Sequence, residues 1–144
     1  MRITRLFRHL RRNHRGQALV EMAIILPVFL LMVLGMIDLA RAWNIKQVIT
    51  DAAREAARNG VVDSQGFVMT TAYVEGIAAT ALTNAGLDLG LASITSSGVN
   101  DATNTPLQID ITYPYPLQFM SIFYDVLGGG GPILLQTRII MRNE

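Results

Sequence analysis

The sequence predicts an α+β protein. A long, kinked N-terminal helix, part transmembrane and part amphipathic stalk, precedes a small domain with a second helix and a two- to three-stranded antiparallel sheet. Three observations lead there. Gln17 to Ile37 is an apolar run of 21 residues with one charge, Glu21. Ile45 to Ala57 carries apolar residues at helical spacing. Leu107–Tyr113 and Ile133–Arg142 alternate with the period of a strand.

Composition frames these elements. The chain has 144 residues and a formal net charge of +1. That average hides a split. Residues 1–16 hold six arginines, two histidines and no acid, a formal charge of +6. The rest holds six basic and eleven acidic residues, a formal charge of −5. The length allows one domain with an appendage and argues against a large two-domain enzyme. With no cysteine there is no disulfide framework, thiolate metal site or thiol nucleophile. The mean hydropathy of +0.34 comes largely from residues 17–37.

A helix over residues 17–37 is about 31 Å long, which matches a bilayer's hydrocarbon core. Its apolar residues follow no 3.6 period and surround the helix, as lipid contact or a bundle of like helices requires. Arginines precede it and acids follow it, so the positive-inside bias puts the N-terminus in the cytoplasm and residues 38–144 outside. Pro27 lacks an N–H and crowds the preceding turn, which predicts a kink. Glu21 costs about 2.5–3.5 kcal/mol at the centre of a membrane helix, less near its end. Pairing with Arg15 at the interface is one way to offset that cost.

Past the span, Asp38 and Arg41 are spaced for an i,i+3 pair, and Trp43 suits the interfacial belt. Residues 38–60 read as an amphipathic stalk. Ile45, Val48, Ile49, Ala52, Ala53, Ala56 and Ala57 form its stripe, Asp51–Arg54 and Glu55–Arg58 pair on the other side, and Asn59-Gly60 stops it. The alanines permit close packing, under this chain's own domain or against other helices.

Residues 61–144 read as one small α+β domain. A second helix covers Phe67–Ala85, with Ala72 or Tyr73, Ile77, Ala81 and Ala85 on one face and Gly86 as its stop. Residues 93–104 read as a loop, with a short strand near 91–95. Pro114 and Pro116 end the first alternating strand. Leu117–Leu127 is a short helix or a hydrophobic loop, Gly128–Gly131 a joint, and Ile133–Arg142 the second strand. The apolar residues between 115 and 124 either close over the core or form a docking surface.

The chemistry of an enzyme is missing. His9 and His14 lie in the arginine head, whose cationic field opposes a metal. Gly128–Pro132 lacks the Lys-Ser/Thr of a phosphate loop, and no HExxH or GxSxG occurs. No cofactor, metal or small-molecule substrate is expected. The head lacks interleaved aromatics and abuts a span, so topology and lipid attraction explain it better than nucleic acid does.

One motif at the junction points to a family. Arg15-Gly16-Gln17-Ala18-Leu19-Val20-Glu21 ends a basic leader in glycine and places an acid five positions later inside an apolar helix. This resembles the prepilin-peptidase site of type IV pilin-like proteins. With Pro27, Trp43 and the Ala52–Arg58 block, residues 15–58 resemble the N-terminal region of TadE-like proteins. Those are minor pseudopilins of the tight-adherence, or Flp-type, pilus system. Met22 departs from the aromatic that pilin relatives often carry after the Glu.

The resemblance implies cleavage between Gly16 and Gln17 on the cytoplasmic side of the bacterial inner membrane. It implies a role for Glu21 in recognition by the peptidase or in assembly. It implies prepilin peptidase, the major pilin, a second minor pseudopilin and the inner-membrane assembly platform as partners, besides the lipid bilayer. Priming or capping the filament and organising the membrane machinery remain open. Two other readings stand beside it. One is an unprocessed single-pass anchor with an outer binding domain. The other is a secreted protein cut by signal peptidase near Ala42, at Ala40-Arg41-Ala42.

Overall fold

The computed structural model describes residues 14–61, 69–99, 105–126 and 128–142. The arginine-rich head up to residue 13, the expected helix start at Phe67 and the loop at 100–104 lie outside them. The element order is α1 (His14–Val61), α2 (Thr71–Asn84), β1 (Ser93–Ser97), β2 (Pro106–Tyr115), α3 (Ser121–Val126) and β3 (Ile133–Arg142). The α+β layout is the one the sequence predicts, with three antiparallel strands. The chain divides into two compact units, Met1–Ile37 and Asp38–Glu144.

In the first unit, α1 runs through Pro27 without interruption. Its most apolar 18-residue stretch has a mean hydropathy of 2.6, and none of it is buried. A core helix of a water-soluble domain would be covered. Here Leu19, Val20, Ile24, Val28 and Met32 are among many exposed apolar side chains, as a helix solvated by lipid requires.

In the second unit the helical stripe is covered by the chain's own domain. Ile49, Ala52, Ala53, Ala56 and Ala57 of α1 are buried with Val74, Ala78 and Leu82 of α2 and with Leu107, Ile109, Ile111 and Tyr113 of β2. Between the two packing arrangements that alanine allows, this stretch takes the one within the chain. Thr50 adds a polar tie: its Oγ1 donates to the Lys46 carbonyl and lies 3.3 Å from Thr137 Oγ1 on β3. On the exposed side Arg54 meets Asp51 at 3.4 Å. The expected Glu55–Arg58 pair is not seen among the described residues.

Gly60 is not the stop that was expected. The helix continues to Val61, and Gly60 is buried. A Cβ there would lie 2.7 Å from Leu107 Cδ2 and 3.1 Å from Val74 Cγ2. Glycine is therefore a close-approach residue, which lets α1 meet α2 and the sheet.

Helix α2 starts later than the periodicity suggests because Thr70 caps it, its hydroxyl accepting from the Tyr73 N–H. Its buried face is Val74, Ala78 and Leu82, flanked by half-buried Ile77 and Ala81, rather than the predicted Ala72/Tyr73–Ala85 line. It ends as predicted at Gly86, whose φ of 77° suits glycine. There Gly86 N–H donates to Thr83 and Leu87 N–H to Leu82, a Schellman arrangement.

The sheet order is β1-β2-β3. Every second residue of the central strand, from Leu107 to Tyr115, is buried. The third strand expected near 91–95 is present, shifted by two residues, whereas Pro114 does not end β2 as expected. The polar segment Ser93–Ser97 is an edge strand, because Ile94 and Ala92 pack on the core and Glu75 of α2 accepts from both Ser96 N–H and Ser96 Oγ at 2.9 Å. Pro114 lies inside β2, opposite Leu134. Pairing with β1 reaches only to Thr112, so one edge of β2 is free beyond it, and a residue lacking an N–H is tolerated there.

Two helical glycines should respond oppositely to an added side chain. Gly60→Val overpacks the core and should cost about 1–3 kcal/mol. Gly76→Ala, where a Cβ meets nothing within 4 Å, should gain up to about 1 kcal/mol from helix propensity. Denaturant unfolding of the full chain in detergent measures both; equal effects would contradict these packing roles.

Candidate functional site

The residues singled out at the helix entry lie on one exposed stretch of α1. Gly16, Gln17, Glu21 and Pro27 are all helical and exposed. A Cβ on Gly16 would meet nothing within 4 Å. Among the described residues no neighbour demands glycine there, although glycine costs a helix about 1 kcal/mol relative to alanine. Gly16 sits in the first turn, where N–H groups lack helical partners and unwinding is easy. Gln17 and Glu21 are one turn apart, so an ammonium created at Gln17 would lie about 6 Å along the axis from the carboxylate's residue. The expected Arg15–Glu21 pairing involves a side chain outside those described.

A second cluster, in the second unit, centres on Asp38, which the sequence spacing pairs with Arg41 at i,i+3. The structure corrects this. Asp38 is 1% exposed. Its Oδ2 accepts from the N–H of Phe119 at 2.9 Å and of Met120 at 2.8 Å, and its Oδ1 from that of Gln118 at 3.3 Å. These donors lie just ahead of the short helix α3. The carboxylate thus holds the 118–120 turn against α1 across 80 residues of sequence. Arg41 turns to the same segment: its Nη1 donates to Gln118 Oε1, and its guanidinium lies 5.4 Å from the centroid of the Phe119 ring.

Electrostatics follow from this arrangement. Burial opposes ionisation of Asp38, but the N–H groups of Met120, Phe119 and Gln118, aided by Arg41, outweigh it and hold the carboxyl below its ordinary range. Tyr115, also buried, carries the one buried side-chain polar atom among the described residues without a hydrogen bond of ordinary geometry. Burial, then the Asp38 charge, pushes its phenol up, while Arg41 acts the other way. On the opposite face of the sheet Asp110 accepts from Arg138 Nε at 2.6 Å and from Gln108 Nε2 at 2.5 Å, and these bonds hold its carboxyl low.

The hydrophobic segment divides between its two expected roles. Tyr115 is buried, Leu117, Met120 and Tyr124 are half-buried, and Phe119 and Phe123 are exposed. Beside it lies a cavity of about 360 Å³, lined by Pro114, Pro116, Leu117 and Tyr124 with Asp125 and Ser121 at its polar side. Among the described residues no group of three or more His, Asp or Glu side chains is placed to hold a metal ion.

The comparisons single out one stretch of the chain. Residues 16–58 match the family model of TadE-like proteins. No curated protein and no solved structure matches the chain. A TadE-like segment together with one long apolar helix fits a pilus-related membrane protein with a single-pass anchor.

Asp38 should make stability fall in acid. Its folded-state pKa is lowered, so its contribution is complete above the unfolded value near 3.9 and is lost as pH falls through the folded one. Asp38→Ala leaves three N–H groups without their acceptor and should cost about 1–3 kcal/mol at pH 7. The variant's deficit should shrink towards pH 3. Thermal melts at both pH values test this, and a deficit independent of pH would contradict it.

Proposed function

We propose that this chain, TadE-like over residues 16–58, is a minor pseudopilin that serves assembly of a tight-adherence pilus without catalysing a reaction. It is cut by a prepilin peptidase between Gly16 and Gln17 on the cytoplasmic side of the inner membrane. The observation that carries this reading is Gly16 itself. It is an exposed helical glycine with open space where its side chain would be, so its residue type answers to something outside the chain. A peptidase that must thread an unwound first turn is such a partner.

Cutting there creates an α-ammonium with a pKa near 8 on Gln17. Glu21, one turn on, is available to that ammonium in the same subunit or to that of a neighbour. Either pairing offsets the cost of a carboxylate in hydrocarbon. Other pilin-like subunits meet the exposed apolar surface of α1 before Asp38, since the alanine stripe beyond it is taken up by the chain's own core.

This reading is favoured over release by signal peptidase near Ala42. Cleavage there would remove Asp38 and Arg41, which bind residues 118–120. The N–H groups of that turn would be left without their acceptor, at a cost to the domain being released.

N-terminal mass analysis of protein co-produced with a prepilin peptidase should give Gln17 as the first residue. A start at Trp43 or an intact leader would contradict the proposal. Glu21→Gln should still insert into membranes but lose pilus assembly. Wild-type piliation by that variant would remove Glu21 from the mechanism.

A further inference from the structure

We infer that the outer domain carries a bilayer-contacting surface of its own, formed by Phe119, Phe123 and Val126, which lies in the headgroup layer beside the exit point of α1, at the level of the exposed Leu39 and Trp43 of that helix. The inference rests on the membrane-anchor reading of residues 17–37.

The argument starts with depth. Asp38 directly follows the apolar span, so its backbone lies where α1 leaves hydrocarbon. Its carboxylate is bonded to the N–H groups of residues 118, 119 and 120. A turn held within hydrogen-bond distance of Asp38 shares Asp38's depth. Helix α3 begins at Ser121 and has only six residues, so it stays near that level.

Exposure gives the second step. Val126 is 82% exposed, Leu39 69% and Trp43 64%, and both phenylalanines are two-fifths exposed or more. These side chains lie on segments that the Asp38 clamp joins, and the described residues leave each of them two-fifths exposed or more. In water the exposed apolar side chains of the short 119–126 segment are unfavourable. In the interface, aromatic rings sit at headgroup level with their apolar bodies towards the chains. Arg41 supplies the matching charge, its guanidinium lying by the Phe119 ring and suited to lipid phosphate. Asp125 of α3 is exposed and must face water, which leaves α3 with one side for lipid and one for solvent.

The single tryptophan makes the test direct. The full chain is placed in nanodiscs whose lipids carry bromine either near the headgroup or near the chain end. Trp43 of the wild type is the reference. Phe123→Trp and Val126→Trp are each made in a Trp43→Phe background, and Leu30→Trp in the same background reports on the span. The inference expects blue-shifted emission from the tryptophans of Phe123→Trp and Val126→Trp. It expects losses comparable to that of Trp43, larger with bromine near the headgroup than near the chain end. Emission typical of water, unchanged by either lipid, overturns it. Blue-shifted emission that neither lipid reduces also overturns it, and points to a second copy or another protein on this surface. Loss of emission from Leu30→Trp with chain-end bromine, but none from the α3 positions, sinks this inference alone. No loss from Leu30→Trp sinks the membrane reading and this inference together.

Discussion

The second unit depends on a carboxylate that would be costly without its partners. Asp38 is buried at the point where α1 passes from an apolar exposed surface to a face covered by its own domain. Desolvating an aspartate is unfavourable, and the N–H groups of residues 118–120 offset it by replacing water at both oxygens. Those same N–H groups would otherwise be orphaned ahead of α3. The bonds therefore satisfy both sides at once, and they fix the segment between β2 and β3 against the helix. Arg41 and Tyr115 are arranged around this interaction: one is drawn to its segment, and the other has its phenol pushed up by burial and by the Asp38 charge.

The second constraint is proximity. A three-stranded sheet and two helices make a small core, and small residues let its layers approach. Ala52, Ala53, Ala56 and Ala57 present little more than backbone to α2 and β2, and Gly60 presents nothing else. Apolar area per residue is modest, so the larger contribution comes from Ile49, Val74, Leu82, Leu107, Ile109 and Ile111, all fully buried. A stripe that looks suited to helix–helix assembly is consumed inside the chain. The continuous apolar surface of α1 that the described residues leave exposed lies before Asp38, and this is where Gly16 and Glu21 also lie.

Much of this was legible in the sequence because it is local. The apolar run of 17–37, the stripe of 45–57, the alternation of 107–113 and the strand at 133–142 each express a period that one element imposes on its own residues. The spacing of Gly16 and Glu21 is likewise a pattern along one helix. What the local pattern does not mark is non-local. Asp38 has a plausible partner three residues away in Arg41, and nothing in the local pattern marks donors 80 residues on. Gly60 looks like a terminator until Leu107 and Val74 are seen against it. Pro114 looks like a strand end unless the pairing of β2 with β1 is known to stop at Thr112. The edge strand expected near 91–95 extends to Ser97 because its Ser96 is held by Glu75, 21 residues away. The buried line of α2 was misplaced because alanines on adjacent faces of that helix look alike in sequence.

Hydrogen exchange of the amides of residues 118, 119 and 120 in the full chain embedded in nanodiscs tests the Asp38 clamp most directly. Slow exchange in the wild type, lost in Asp38→Ala while the amides of β2 stay protected, is the result this account predicts. Rapid exchange of all three amides in the wild type, or protection unchanged in Asp38→Ala, would contradict it.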